Sequence, residues 1–355
     1  MSKWIFLIFL IVITSSLASF SKAIWVTSWD LTTPERIDEI IADCKKHDID
    51  QILAEVRYRG DALYFPNRKD STFLNKEPRS YLLTQSADFD PLEYLIKKGK
   101  KTGIEIHAWV TVFVVTTTKV ELLPENHIYF EHPEWFTSSY RREVMKANSY
   151  EGAYLDPGVP AVHLYLLNVF LDIVKNYDLA GIHFDYIRYP DNIFGYNKIA
   201  RSYYQYEFKY RDSDNWQLWK AAQVSDFLKK VSISIRNIKP DIALSAAVFP
   251  YLETALTKYS QNWYEWLKKG YLDRVYLMAY TTSSENLENL LGKISNFGLN
   301  NKIVVGLRAW DSSKKYRTEE INKKIKISRK LRFSGICLFS YSGIKDNGYF
   351  KKLKL

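Results

Sequence analysis

Cysteine is almost missing from this 355-residue chain, with Cys44 and Cys337 the only two. Two sulfurs build neither a disulfide framework nor a cysteine-based metal site, so stability has to come from the core. Cys44 closes the helical apolar stripe Ile37, Ile40, Ile41, Cys44, and Cys337 falls in a strand-like run. Both read as packing residues, with a single bond between them left open. Gly-x-Gly-x-x-Gly and P-loop patterns are also absent, which removes sequence support for a nucleotide-binding open sheet. There is no His-x-His, His-Glu-x-x-His or Gly-x-Ser-x-Gly, so the usual metal-hydrolase and serine-nucleophile signatures are missing. Asp212-Ser213-Asp214 lacks the glycine and glutamate of a calcium loop. No cofactor and no structural metal are expected. Beyond the N-terminus no segment approaches the roughly 20 apolar residues of a membrane span. No Pro-, Gly- or Ser-rich linker and no internal repeat divides the chain.

The N-terminus is where apolar residues do run together. Lys3 precedes an unbroken apolar stretch over residues 4–13, and Ser21-Lys22-Ala23 offers small residues for cleavage. The expectation is a signal peptide over residues 1–23 and one domain over 24–355, exported to the periplasm or cell exterior. Retention as an uncleaved anchor is the alternative. Without Lys3 and Lys22 the formal charge falls from +10 to +8. The remaining cations are scattered among acids, with modest concentrations at residues 323–330 and 351–354. That pattern argues against nucleic acid and for peripheral attraction to anionic envelope polymers or membrane surfaces. The chain also carries 26 Tyr, 19 Phe and 10 Trp, enough to fill a core and to line a ligand cleft with rings.

From residue 24 onward, short apolar runs alternate with segments of helical period. Strands are expected over residues 24–27, 51–56, 104–109, 181–184, 243–248, 274–278, 303–307 and 335–338. Between them, stripes such as Leu92, Leu95, Ile96 and Leu218, Ala221, Ala222, Ser225, Leu228 read as amphipathic helices. Eight β/α pairs favour a closed (β/α)8, TIM-like barrel over an open doubly wound sheet. Two connections are long, residues 110–154 after the third strand and 186–215 after the fourth. In such a barrel both lie on the face where active sites are built.

Chemistry is therefore sought just past the strand ends. Asp185, in Gly181-Ile182-His183-Phe184-Asp185-Tyr186-Ile187-Arg188-Tyr189-Pro190, is the first candidate for a glycosidase carboxyl, because its apolar neighbours can raise its pKa by desolvation. Its alternative role is an ion pair with Arg188 or Arg57 that only holds the mouth together. The second carboxylate is open among Glu55, Asp61, Asp156, Asp191, Glu253 and Asp311, with Glu55 preferred. Strand alternation places Leu53, Glu55 and Arg57 on one side, so Glu55 serves equally well as the buried partner of Arg57. His107 and His183, at strand ends, are placed to orient sugar hydroxyls, or to join Asp185 around a metal in a deacetylase. Trp109, Arg188, Tyr280 and Trp310 complete the expected substrate-binding set.

Several of these segments, in this order, resemble the bacterial glycosyl-hydrolase-like family 10. They are the run 181–190, Arg57 with Gly60-Asp61-Ala62-Leu63-Tyr64, His107-Ala108-Trp109, His132-Pro133-Glu134-Trp135-Phe136 and Tyr154-Leu155-Asp156-Pro157-Gly158. The resemblance implies an exported TIM-like barrel with glycoside hydrolase activity, acting for some members on peptidoglycan glycan strands. It carries Asp185 over as the catalytic carboxylate and Arg57, Asp61, His107 and Tyr280 as cleft residues. Two positions depart from the pattern: relatives commonly have a second acid where Tyr186 stands, and an amide where Glu55 stands. The expected function is thus cleavage of an envelope or extracellular polysaccharide, with a non-catalytic glycan-binding barrel as the alternative.

Overall fold

The computed structural model describes residues 20–207, 216–310 and 316–355. Eight parallel strands close into a barrel in sequence order, each hydrogen-bonded to the next and the last to the first. They are β1 Ser21–Val26, β2 Gln51–Arg57, β3 Glu105–Thr111, β4 Gly181–Asp185, β5 Ala243–Val248, β6 Arg274–Met278, β7 Ile303–Arg308 and β8 Gly335–Phe339. Their runs are buried on both faces because helices cover the outside and side chains fill the inside. Helix starts follow local chemistry: Thr33 and Asp90 cap helices Pro34–Lys46 and Pro91–Thr102, each with proline in its first turn. Gly103 ends the second of these at φ 75°.

Two separate apolar clusters result. The larger one lies between strands and helices, while Ala23, Trp25, Leu53, Trp109, Tyr276, Val304 and Cys337 fill the barrel interior with Tyr280 and Phe339. Gly306 leaves room there for Trp25, whose ring would lie 2.9 Å from a Cβ at that position. Cys44 belongs to the outer cluster and Cys337 to the inner one, and both are free thiols.

Several boundaries differ from expectation. β1 begins at Ser21, with Ser21 and Ala23 buried and the Ser21 hydroxyl donating to Asp50 and Gln51 at 3.2 and 3.1 Å. The expected mature start at Ile24 thus falls inside a barrel strand. Helix Trp216–Ile238 buries Ala221 and Leu228 of the expected stripe, but its inward face is rotated toward Trp219, Val224 and Phe227, and Leu218 is 64% exposed. A third long connection, residues 58–90 after β2, joins the two that the sequence marks. It is held to helix Pro160–Asn176 by Asp172 and Asn176, which accept from the backbone of Asn67 and Lys69 at 3.0 and 2.8 Å. The loops after β3 and β4 clasp each other through the Ser139–Phe194 bridge and the Tyr196 N–H to Ser138 carbonyl bond.

Candidate active site

At the carboxyl end of the barrel, β2 and β4 bring two carboxyls together. Asp185 is the last residue of β4, 9% exposed, and accepts the Tyr186 backbone N–H at 2.7 Å. Tyr186 adopts φ 52°, a left-handed turn that folds the chain back over the carboxyl it caps. Burial raises the Asp185 pKa, while that N–H, the positive charges of Arg188 and Arg59 and the Trp109 indole oppose the rise. The Trp109 N–H lies within range of Asp185 without closing a hydrogen bond of ordinary geometry.

Glu55, on β2, is 3% exposed and accepts the backbone N–H and hydroxyl of Ser28 at 3.1 and 3.0 Å. Burial is the main reason its pKa is pushed up to about 7; Arg59 and Ser28 oppose it, and the Asp185 charge raises it further. Among the described residues neither Glu55 nor Asp185 forms an ion pair within 4.0 Å. Two protonation states are therefore accessible to this pair near neutral pH, with one cation, Arg59, influencing both carboxyls.

Arg59 was not singled out by the sequence, although it stands two positions from Arg57 in the same strand end. The reason is a β-bulge between Glu55 and Arg57: Glu55 pairs with Trp109 but Arg57 with Val110. The extra residue breaks the two-residue alternation, so Glu55 stays inside with Trp109 while Arg57 joins Val110 on the outer side. Arg57 is then a correction to the expected cleft set. It is fully buried, donates to Glu77 at 2.6–3.0 Å and to the Thr111 and Val112 carbonyls, and is not the partner of Glu55. Arg59 meanwhile packs over the rings of Tyr58 and Tyr186 at 4.2 and 5.1 Å, and its buried Nε has no hydrogen-bond partner.

Other expected site residues divide in the same way. His107 is a correction, because β3 runs on to Thr111 and puts His107 in the lower half of the barrel, level with the first residue of β4. Gly181 makes space for its ring, which a Cβ would approach to 2.2 Å. His183 is completely buried in the interior, where its Nε2 accepts from the Trp25 indole at 3.1 Å, leaving Nδ1–H for the Ser245 hydroxyl at 2.9 Å. Both nitrogens are occupied and burial keeps the ring neutral. The two histidines and Asp185 accordingly form no ligand set, and among the described residues no three His, Cys, Asp or Glu side chains gather at metal-binding distances.

Asp156 is another correction: fully buried, it accepts from Thr137, Tyr189 and the Gly158 N–H at 2.8–3.0 Å and ties the two clasped loops together. Asp61 is sealed in the loop after β2, where it accepts the Arg59 backbone N–H at 3.5 Å; its electrostatic neighbours are Glu77 and Arg57. Asp191 pairs with Lys258 at 3.1 Å, Glu253 is exposed, and Asp311, like Asp212 and Asp214, lies outside the described residues.

Trp109, Tyr280 and Trp310 do converge. Phe339, at the end of β8, contacts all three at ring-centroid distances of 6.3, 5.5 and 5.6 Å, and Tyr280 feels the Asp185 charge. Arg188, whose charge reaches Asp185, is enclosed by a different set of rings, Tyr186, Phe249, Tyr259 and Tyr154 at 4.8–5.8 Å, with Glu151 accepting at 3.3 Å. Ser28, Arg59, Glu151 and Phe339 are the residues that sequence reading missed. Only Arg59 and Phe339, both at strand ends, left any signal there.

Fold and site define a class: a parallel (β/α)8 barrel whose mouth holds two buried carboxyls, a shared arginine and a wall of rings. Within that class, residues 21–323 match the glycosyl hydrolase-like 10 family, and the chain belongs to it. It is 26% identical over 243 residues to the glycosyl hydrolase YngK of Bacillus subtilis strain 168, covering 66% of this chain and 44% of that protein. To the glycosyl hydrolase DigH of Escherichia coli K12 it is 24% identical over 245 residues, covering 64% and 52%. The chain thus spans about half the length of the curated relatives it matches. Its fold is similar to the glycoside hydrolase domain of PgaB (BpsB) from Bordetella bronchiseptica, with TM-score 0.73 at 16% identity over 94% of this chain and 97% of that one. It is also similar to the catalytic domain of β-amylase from Paenibacillus polymyxa, with TM-score 0.60 at 10% identity over 93% and 95% of the two chains.

Proposed function

We propose that this protein is an exported glycoside hydrolase that cleaves glycosidic bonds of a cell-envelope or extracellular polysaccharide, with peptidoglycan glycan strands as the first substrate to test. The observation that carries the reading is the Glu55–Asp185 pair, buried together and free of ion pairs. Glycosidic cleavage requires one carboxylic acid that is protonated at working pH and one that is ionised. Glu55, at about 7, is the proton donor to the leaving oxygen. Burial raises Asp185 as well, but the Tyr186 N–H and two guanidinium charges oppose that rise, so of the pair it is the member assigned the ionised role, as nucleophile or water activator. Trp29, 45% exposed and 4.7 Å from Tyr58, offers a stacking surface at the rim for a sugar ring.

The test is incubation of purified protein with peptidoglycan sacculi, intact and stripped of peptides, with products identified by mass. Asp185→Asn is expected to lower sugar release roughly a hundredfold or more while leaving the melting temperature within a few degrees. Equal release by wild type and Asp185→Asn would remove Asp185 from the chemistry. Binding of glycan with no release from any polysaccharide tested would instead make the protein a glycan-binding barrel.

A further inference from the structure

The carboxyl pair does not take up the whole carboxyl end of the barrel. Among the residues that follow β5 and β6 lies a second cavity of about 300 Å3. Tyr280 belongs to both places: it stands in the ring wall of the mouth, with Trp310 and Phe339 at 5.2 and 5.5 Å, and it lines the cavity. Among the described residues that line this cavity there is no acid, and neither Glu55 nor Asp185 reaches it. One wall is Tyr251, 61% exposed at the start of helix Leu252–Tyr259. Its loop is held firmly, because the Phe249 N–H donates to the Gln261 side chain at 2.8 Å, the Phe249 carbonyl accepts the Trp263 indole at 3.0 Å, and the Phe249 ring stacks on Tyr259 at 4.0 Å. A large ring is thus kept in solvent on a rigid support.

The facing wall is helix Ser284–Ser295, where three- and four-residue spacing puts Asn286, Asn289 and Lys293 on one side around Leu290. All three polar residues are exposed, and among the described residues their side chains form no hydrogen bond or ion pair. Such a lining suits one chemistry. A flat ring stacks on the C–H face of a sugar, while amide and ammonium groups donate to the hydroxyl and acyl oxygens at its edge. A wholly apolar ligand would strip water from the two amides and the ammonium without replacing its hydrogen bonds. The volume lies at the lower end of the range for small-ligand sites, which gives room for a sugar ring. We propose that this cavity is an additional sugar subsite, which holds a hydroxyl- and acyl-bearing ring of the glycan further along the chain from the Glu55–Asp185 pair. The protein therefore prefers long glycan chains to short oligosaccharides. This rests on the glycan-acting reading, because the chain that occupies the mouth is the one that reaches the subsite.

The experiment measures dissociation constants by calorimetry in the Asp185→Asn background, with peptide-stripped peptidoglycan strands, chitin oligosaccharides and cello-oligosaccharides, each fractionated by length. Long chains of a bound glycan are expected to bind about tenfold more tightly than short ones. Tyr251→Ala should remove most of that gain, Tyr251→Phe should keep it, and Asn286→Ala/Asn289→Ala should cut it about threefold. The Tyr251 side chain makes no capping bond to its helix, so melting temperatures should stay close to that of the background protein. A length preference untouched by Tyr251→Ala overturns the proposal, as does an equal loss for short and long chains or no affinity for any glycan tested. Sugar release by the wild type is scored separately. Absence of release with the length preference intact would sink the hydrolytic reading and leave the subsite standing.

Discussion

Glu55 carries an unusual load for one residue, because its neutral form is favoured by burial and its charged form by Ser28 and Arg59. Its folded pKa of about 7 lies above the ordinary 4.5, so the stability that its neutral form contributes is complete below about pH 4.5 and is lost as pH rises through 7. Glu55→Gln cannot ionise and escapes that loss. Its melting temperature relative to wild type should therefore rise between pH 5 and 9, by up to roughly 3 kcal/mol in stability terms; a difference independent of pH would show that Glu55 is not held neutral. Arg59 acts on the same proton from the other side. Removing its charge in Arg59→Met should raise the Glu55 pKa, shifting the alkaline limb of the pH–rate profile upward, whereas a purely structural arginine would change the rate without moving the limb.

At the level of elements, the bulge in β2 separates two arginines into different jobs. Arg57 faces the helix layer and, with Glu77 and the Tyr165 hydroxyl, fastens the loop of residues 58–90 to helix Pro160–Asn176. Breaking one side of a fully buried pair strands the other charge, at a cost of about 3–5 kcal/mol. Arg57→Met should accordingly lower the denaturation midpoint by that amount, and Arg57→Met/Glu77→Leu should recover part of it. Urea titration of the single and double variants measures both effects. No recovery in the double variant would mean that the backbone contacts to Thr111 and Val112 matter more than the ion pair.

Taken as a whole, the molecule is a barrel whose rings and its Glu55 and Asp185 carboxyls gather at the carboxyl end of the strands. The first strand also bears on where a signal peptide could be removed. Removal of residues 1–23 would take Ser21 and Ala23 from β1, along with the bonds from Ser21 to Asp50 and Gln51. Cleavage is therefore expected upstream of Ser21, where Ser16-Leu17-Ala18 again presents small residues. N-terminal sequencing of the protein recovered from the cells that make it checks this, and a start at Ile24 would contradict it.

Much of the architecture was legible in the residues themselves. Eight apolar runs separated by amphipathic stripes are enough to imply a parallel barrel, since strands buried on both faces need helices outside and side chains within. The same pattern put Asp185 at a strand end and Trp109, Tyr280 and Trp310 on the mouth side. What the residues could not convey was a change of phase. One extra residue in β2 sent Arg57 outward and left Arg59 with the carboxyls, and a β3 longer than its apolar run lowered His107 into the barrel. Hydrogen-bond register, unlike hydrophobic period, depends on the neighbouring strand, so it emerges only when the sheet closes. The chain alone thus determined that acids and rings would gather at one mouth; tertiary structure decided that Glu55 and Asp185 lie buried there within reach of each other's charge, and that Asp156 ties the loops together instead.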